Sequence, residues 1–224
     1  MPLSRTVPER PVNFFASPEM GAVIDRVATR VVLPDGAVLF RKGEDADSFY
    51  ILDDGEIEIS VTSVDGKKLS LEVLTAAEIF GEIGLFAGRR TADATALSPA
   101  KLRRVRRADV LAAIRTEPDL ALQMIDLLCA RLRSVSEKLE ERAFLPLPAR
   151  LARRFLHLSE KYADRGGTIP MSQADLADFA GATREAVAKA LGVWRARGWI
   201  ALSRGSVSIV DRAALEILAS SDED

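Results

Sequence analysis

The chain has 224 residues, 48% apolar and 29% charged, enough to bury a sizeable core as one large domain or two modest ones. No apolar run reaches the roughly 18 residues of a membrane span, and Met1–Phe15 lacks the apolar centre of a signal peptide, so a cytoplasmic protein is expected. A single cysteine, Cys129, excludes an internal disulfide and a multi-cysteine metal cage; a single histidine, His157, lies in the run Phe155-Leu156-His157-Leu158 with no nucleophile motif nearby, so no enzyme is expected.

The first sixteen residues read as a loose arm, because Pro2, Pro8 and Pro11 interrupt any pattern. Ser17 as cap, Pro18 in the first turn and Glu19 behind it predict a helix running to about Thr29. From Val31 to Val105 the pattern changes to short strands, predicted at Val31–Leu33, Ala37–Phe40, Ser48–Leu52, Glu56–Val61 and Leu69–Val73. The turns between them are Pro34-Asp35-Gly36, Lys42-Gly43-Glu44, Asp53-Asp54-Gly55 and Val64-Asp65-Gly66. Ile57, Ile59 and Val61 alternate with Glu56, Glu58 and Ser60, which predicts a strand whose isoleucine–valine face is the buried one. Many short antiparallel strands with glycine at the corners imply a compact barrel or jelly roll.

A short helix is predicted at about Arg107–Arg115, then a long one opened by Pro118 and running to about Arg142. Within the long helix Ile125, Leu128, Leu132, Val135 and Leu139 recur at alternating spacings of three and four, a heptad seam, so the chain is expected to form a homodimer along it. Arg131, Arg133, Glu137, Lys138, Glu140 and Glu141 fill the other faces, leaving a narrower stripe than a helix packed only on its own domain would show. Phe144-Leu145-Pro146-Leu147-Pro148 is the expected hinge, followed by a helix at about Ala149–Tyr162 and the loop Arg165-Gly166-Gly167.

Residues Ser172–Arg197 carry a helix-turn-helix pattern. Ser172 caps a short helix at Gln173–Phe179, Ala180-Gly181-Ala182 is a tight turn, and Thr183 caps a second helix at Arg184–Arg197 that stops at Gly198. Leu176, Val187 and Leu191 are the expected core between the two helices, with Ala177 and Ala188 leaving room for a close crossing. Arg184, Glu185 and Lys189 project from the start of the second helix, the part that meets base edges in a major groove, and Thr183 with the first-turn amides suits a phosphate. Ser172 and Gln173 are further candidate contacts. Two strands, Trp199–Leu202 and Val207–Val210, make a hairpin wing with Arg204 at its tip, and Asp211 caps a final helix. Charge agrees: Ala143–Arg212 holds eleven Lys and Arg against six Asp and Glu, a surplus of five, in a chain whose net charge is −2, so the remainder carries −7.

The stretch Phe80–Ala92 reads as a phosphate cradle. Gly81 allows close backbone approach, residues 82–86 can form one helical turn, Arg90 offers a planar two-pronged donor, Thr91 a hydroxyl, and Glu82 an acceptor for a sugar hydroxyl. Ile83 and Gly84 belong to the same turn. The structural alternative pairs Arg90 with Glu82 and uses Gly81 only as a barrel corner.

On three segments the chain resembles the CRP/FNR family of bacterial transcription regulators: the Phe80–Ala92 cassette, the long helix ending in Ser136-Glu137-Lys138-Leu139 and Ala143-Phe144-Leu145, and the run Ala182-Thr183-Arg184-Glu185-Ala186-Val187. The resemblance implies an α+β protein with a β-roll sensor domain over residues 1–116, a dimerisation helix and hinge over 117–145, and a winged helix-turn-helix over 146–224. It also implies a regulatory cyclic nucleotide, cAMP or cGMP, held by Gly81, Glu82, Arg90 and Thr91. A vestigial cradle, serving a ligand-independent regulator, is the other reading. Cyclic-AMP-binding members read adenine with adjacent threonine and serine on the long helix; here those positions are Val135 and Ser136, and valine cannot hydrogen-bond a base. Lys189 stands where such members usually carry arginine. Iron–sulfur and haem-binding branches fit neither one cysteine nor one histidine. The implied partners are double-stranded DNA with a near-palindromic site, a second copy of the chain, and RNA polymerase.

Overall fold

The computed structural model describes residues 24–163 and 166–220. The expected arm at 1–16, the helix start at Ser17 and Arg165 of the glycine loop lie outside the described residues. Of the first predicted helix, residues 24–27 are helical, but Thr29 already opens a strand. The Ala28 N–H closes on the Ile24 carbonyl at 2.8 Å, and Thr29, β-branched and suited to a pleated strand, pairs with Arg104 instead of extending the helix.

The described residues pack into two units. The first comprises residues up to Glu58 and Leu74–Ser134; the second comprises Ile59–Val73 and everything from Val135 onward. In chain order the strands are β1 (Thr29–Leu33), β2 (Val38–Phe40), β3 (Ser48–Asp54), β4 (Ile57–Thr62), β5 (Lys68–Leu74), β6 (Ile79–Phe80), β7 (Asp93–Ala96) and β8 (Ala100–Arg106), with helix α1 (Glu82–Ala87) between β6 and β7. They form two four-stranded sheets, β1-β8-β3-β6 and β2-β7-β4-β5, the antiparallel jelly-roll arrangement expected from the many short strands. The core of the first unit collects Phe49, Ile51, Ile79, Leu85 and Val105 with Val110 from α2 (Arg107–Thr116).

One expectation is corrected in part in β4. Ile57 is fully buried as expected, but Ile59 and Val61 are only half-buried, and the polar side is buried as well: Glu56 just before the strand and Glu58 are 6% exposed and Ser60 3%. A period of two says that the faces differ, not which is drier. Residues of both parities are buried in β4, Ile57 on one side and Glu58 and Ser60 on the other, so the strand is covered on both faces and neither is simply the wet one.

Helix α3 (Asp119–Phe144) has 26 residues and two apolar faces. Leu120, Met124 and Leu127 are buried in the first core. Offset from them, Ile125, Leu132, Val135 and Leu139 are 54–68% exposed and Leu128 half-buried, so the heptad seam is a second stripe beside the one spent on the protein's own core.

The hinge is shorter than expected. α4 (Leu147–Lys161) begins with Pro146 as its cap and takes Pro148 into its first turn, leaving Leu145-Pro146 between the two helices. A first-turn proline costs little because its missing N–H would have no acceptor inside the helix. α5 (Gln173–Ala180), α6 (Arg184–Ala196) and α7 (Arg212–Ala219) pack on α4 through Phe155, Leu158, Leu176, Val187, Leu191, Trp194 and Leu215, with the Phe155 and Trp194 rings edge to face at 5.5 Å. Of the wing strands, β9 (Ile200–Ser203) lies one residue later than predicted at both ends and β10 (Ser206–Ile209) one residue earlier at both ends. Trp199 belongs to the helix exit: its N–H donates to the Trp194 carbonyl at 2.9 Å and its ring stacks 4.9 Å from the Arg197 guanidinium. Among the described residues no helix is long and apolar enough to cross a membrane.

Candidate functional site

The cradle in the first unit is built around Gly81, the cap of α1, at φ 81°, a left-handed conformation that favours glycine. A Cβ there would also meet Arg90 Nη1 at 2.8 Å. Gly81→Ala is therefore expected to cost about 1–2 kcal/mol in urea unfolding; an unchanged midpoint would show that this backbone is not held as described.

Arg90 lies inside the unit, 5% exposed. Its Nη1 donates to the Ser48 carbonyl at 2.7 Å and the Gly81 carbonyl at 3.2 Å, and Nη2 to Ser48 Oγ at 3.2 Å. The guanidinium carbon sits 4.1 Å from the centroid of Phe40, in an aromatic group completed by Tyr50 and Phe80. Burial pushes the Arg90 pKa down from its ordinary value. Among the described residues no carboxylate ion-pairs with it, and its buried Nε has no hydrogen-bond partner. This is a buried cation held by dipoles and a ring face, a state that an anion would relieve.

Glu82 is 3% exposed and pairs with Arg131 of α3, Oε1 to Nε at 3.3 Å, while Arg131 Nη2 donates to the Ile79 carbonyl at 2.8 Å. The Arg90–Glu82 pair of the structural alternative does not form. Burial raises the Glu82 carboxyl above its ordinary range, against the pull of Arg131. Arg131, Ser48, Phe40 and Tyr50 were not singled out from the sequence. Arg131 carries no sequence signal that ties it to the cradle, since in the sequence it is one of several charged residues on the outer faces of the long helix.

The other predicted cradle residues are dispersed. The Ile83 side chain is 41% exposed. Gly84 is buried, where a Cβ would meet Ala46 Cβ at 2.9 Å, so its small size serves packing. Thr91 is exposed; Val135 and Ser136 are exposed on the part of α3 that belongs to the second unit.

In the second unit, Ser172 forms a capping box with Asp175: the Asp175 N–H donates to Ser172 Oγ at 3.2 Å, and the Ser172 N–H to Asp175 Oδ2 at 2.9 Å. Gly181, at φ 61°, ends α5 and makes the turn. Thr183 Oγ1 accepts from the Ala186 N–H at 3.2 Å and starts α6. Leu176, Val187 and Leu191 are buried between the helices, and Ala177 with them. Ala188 is not: it is exposed, one turn after Arg184 and on its face. The expected role of Ala188 in the helix crossing is therefore corrected, because Val187 and Leu191 already fill that side. Arg184, Glu185, Lys189 and Gln173 are exposed, and so is Arg204 at the turn of the wing.

Residues 30–117 match the cyclic nucleotide-binding domain and residues 149–218 the Crp-like helix-turn-helix domain. A CRP-like cAMP-activated global transcriptional regulator of Mycobacterium tuberculosis is 30% identical over 204 residues, covering 88% of this chain and 91% of the relative. The chain belongs to the CRP/FNR family. Among solved structures it is similar to the catabolite activator protein of Thermus thermophilus, at 29% identity and TM-score 0.55 over 94% of this chain and 98% of that one. FixK2 of Bradyrhizobium japonicum, at 21% identity and TM-score 0.78 over 87% of this chain and 98% of the other, shares the fold. As a CRP/FNR protein the chain is a ligand-regulated, DNA-binding transcription regulator and not an enzyme.

Proposed function

We propose that the regulatory ligand is a 3′,5′-cyclic nucleotide whose phosphate pairs with Arg90. The observation that carries this reading is the Arg90 guanidinium, buried with no carboxylate partner among the described residues. A cyclic phosphate supplies the one negative charge the cradle lacks, Thr91 a hydroxyl beside it, and Glu82 an acceptor for the ribose. Gly81, Ile83 and Gly84 shape the turn, and Val135 and Ser136 are the positions this reading assigns to the base. The Mycobacterium tuberculosis relative is named as cAMP-activated, which makes cAMP the first nucleotide to try and cGMP the second. Isothermal calorimetry with both, and operator binding with and without each at fixed salt, test the reading. Heat with neither, or equal operator affinity in both states, would sink it. A second reading, a regulator that no longer takes nucleotide, is favoured by the internal partners of Glu82 and Arg90, and it expects that silent calorimeter.

In the same proposal two copies pair along Ile125, Leu128, Leu132, Val135 and Leu139. Ligand biases a two-state equilibrium toward the form whose α6 helices match successive major grooves of a near-palindromic site, about 34 Å apart. Arg184, Glu185 and Lys189 read the groove; Thr183, Ser172, Gln173 and Arg204 meet the backbone; and bound protein presents itself to RNA polymerase in the cytoplasm. Leu132→Asp puts two charges into the centre of the seam and is expected to give monomers in sedimentation equilibrium. A dimer of unchanged stability would place the interface elsewhere.

A further inference from the structure

The β4–β5 hairpin, from Ile59 to Val73, packs within the second unit, and on β5 one carboxylate collects three basic side chains. Glu72 Oε2 accepts from Lys138 Nζ at 2.9 Å, Oε1 from Lys161 Nζ at 3.2 Å, and His157 Nε2 lies 3.0 Å from Oε1. The lysines also bind the strand itself. Lys138 Nζ donates to the Leu71 carbonyl at 3.2 Å and Lys161 Nζ to the Val73 carbonyl at 2.6 Å. Lys138 comes from α3, His157 and Lys161 from one face of α4.

Val73 is fully buried in the core that α4, α5 and α6 share. Farther along the hairpin, Leu69 stands at the turn of the helix-turn-helix, its Cδ1 3.0 Å from where a Cβ on Gly181 would be. Burial works to raise the Glu72 carboxyl, but the His157 hydrogen bond and the lysine charges outweigh it and hold it well below the usual carboxylate range.

A partly buried ion cluster is a weak source of stability, because desolvation offsets much of the attraction; its better-attested use is to fix one arrangement over others. We propose that Glu72 is the latch that seats the hairpin in the DNA-reading unit, and that ligand binding is passed to that unit through it. The second half rests on the ligand-switched reading above. β4 leaves the first unit at Glu58 and β5 returns to it at Leu74, so the hairpin is continuous with sensor strands at both ends.

Glu72→Gln keeps the size and removes the charge. In hydrogen exchange of the full-length protein, residues 59–73 and α4 are expected to lose protection together while α2 keeps its own. The ratio of operator affinities with and without cAMP is expected to fall at least tenfold, toward one. His157→Ala, which removes one partner of three at a half-exposed position, should move both readouts the same way by less, and it serves if the stronger variant folds poorly. Unchanged exchange in both variants overturns the latch, as does a loosened hairpin with the wild-type affinity ratio. A wild-type protein that ignores nucleotide altogether defeats the ligand-switched reading and the transmission role with it, while the exchange pattern still decides the seating.

Discussion

Replacing Arg90 with alanine is expected to lower nucleotide affinity at least about a hundredfold and to abolish the nucleotide's effect on DNA binding. Hydrogen bonds to a charged group contribute about 1.5–3 kcal/mol each, and a guanidinium can offer a phosphate two in parallel. The side chain is already inside the unit, with its approach fixed by Ser48, Gly81 and the Phe40 ring, so little conformational freedom remains to be lost on binding. Calorimetry on the variant, with unfolding curves beside it, separates this from a general loss of structure. Arg90→Met makes the sharper comparison. It removes a buried charge with no carboxylate partner and keeps the bulk against Phe40. Its ligand-free stability is expected to stay within about 1 kcal/mol of wild type. Nucleotide binding retained by either variant would remove Arg90 from the site.

Arg184→Ala is expected to weaken binding to the preferred operator by about 1–3 kcal/mol, roughly five- to hundredfold, and to relax preference at one base pair of each half-site. Arg184 is the first residue of α6, exposed and next to the Thr183 cap, where a major-groove helix meets base edges. The cap should survive, because the Thr183–Ala186 bond does not involve the arginine side chain. Competition binding at one salt concentration, against the preferred site and against single-base variants, reads both effects. A uniform loss over all sequences would make Arg184 a phosphate contact; no loss would take it out of the interface.

The architecture was legible where local chemistry repeats. Glycine turns and alternating residues gave β3, β4 and β5 to within two residues, and the Ser172 and Thr183 caps placed α5 and α6. β6, β7 and β8 left weaker traces. β6 is two residues long, β7 reads Asp-Ala-Thr-Ala, and β8 is filled with arginines that pair with Asp47, Asp53, Asp25 and Asp109. The cradle was half legible. Gly81 and Arg90 are indeed brought together, but Glu82 turns to Arg131, a residue 49 positions away that no local pattern ties to it. Glu72 was hidden for the same reason. A carboxylate alternating with leucine and valine on a strand looks like any solvated position until the helices that cover it are in place.

The exposed Ala188 has a bearing on engineering. Between the longer side chains of Arg184 and Lys189 the surface of α6 dips to a single methyl group, and a dip at that point lets helix backbone sit close to whatever the flanking residues grasp. A library built to redirect this regulator to new promoters should randomise positions 184, 185 and 189 and leave 188 as it is. A leucine or glutamate there would act as a spacer, holding all three neighbours out of reach regardless of how well they were chosen.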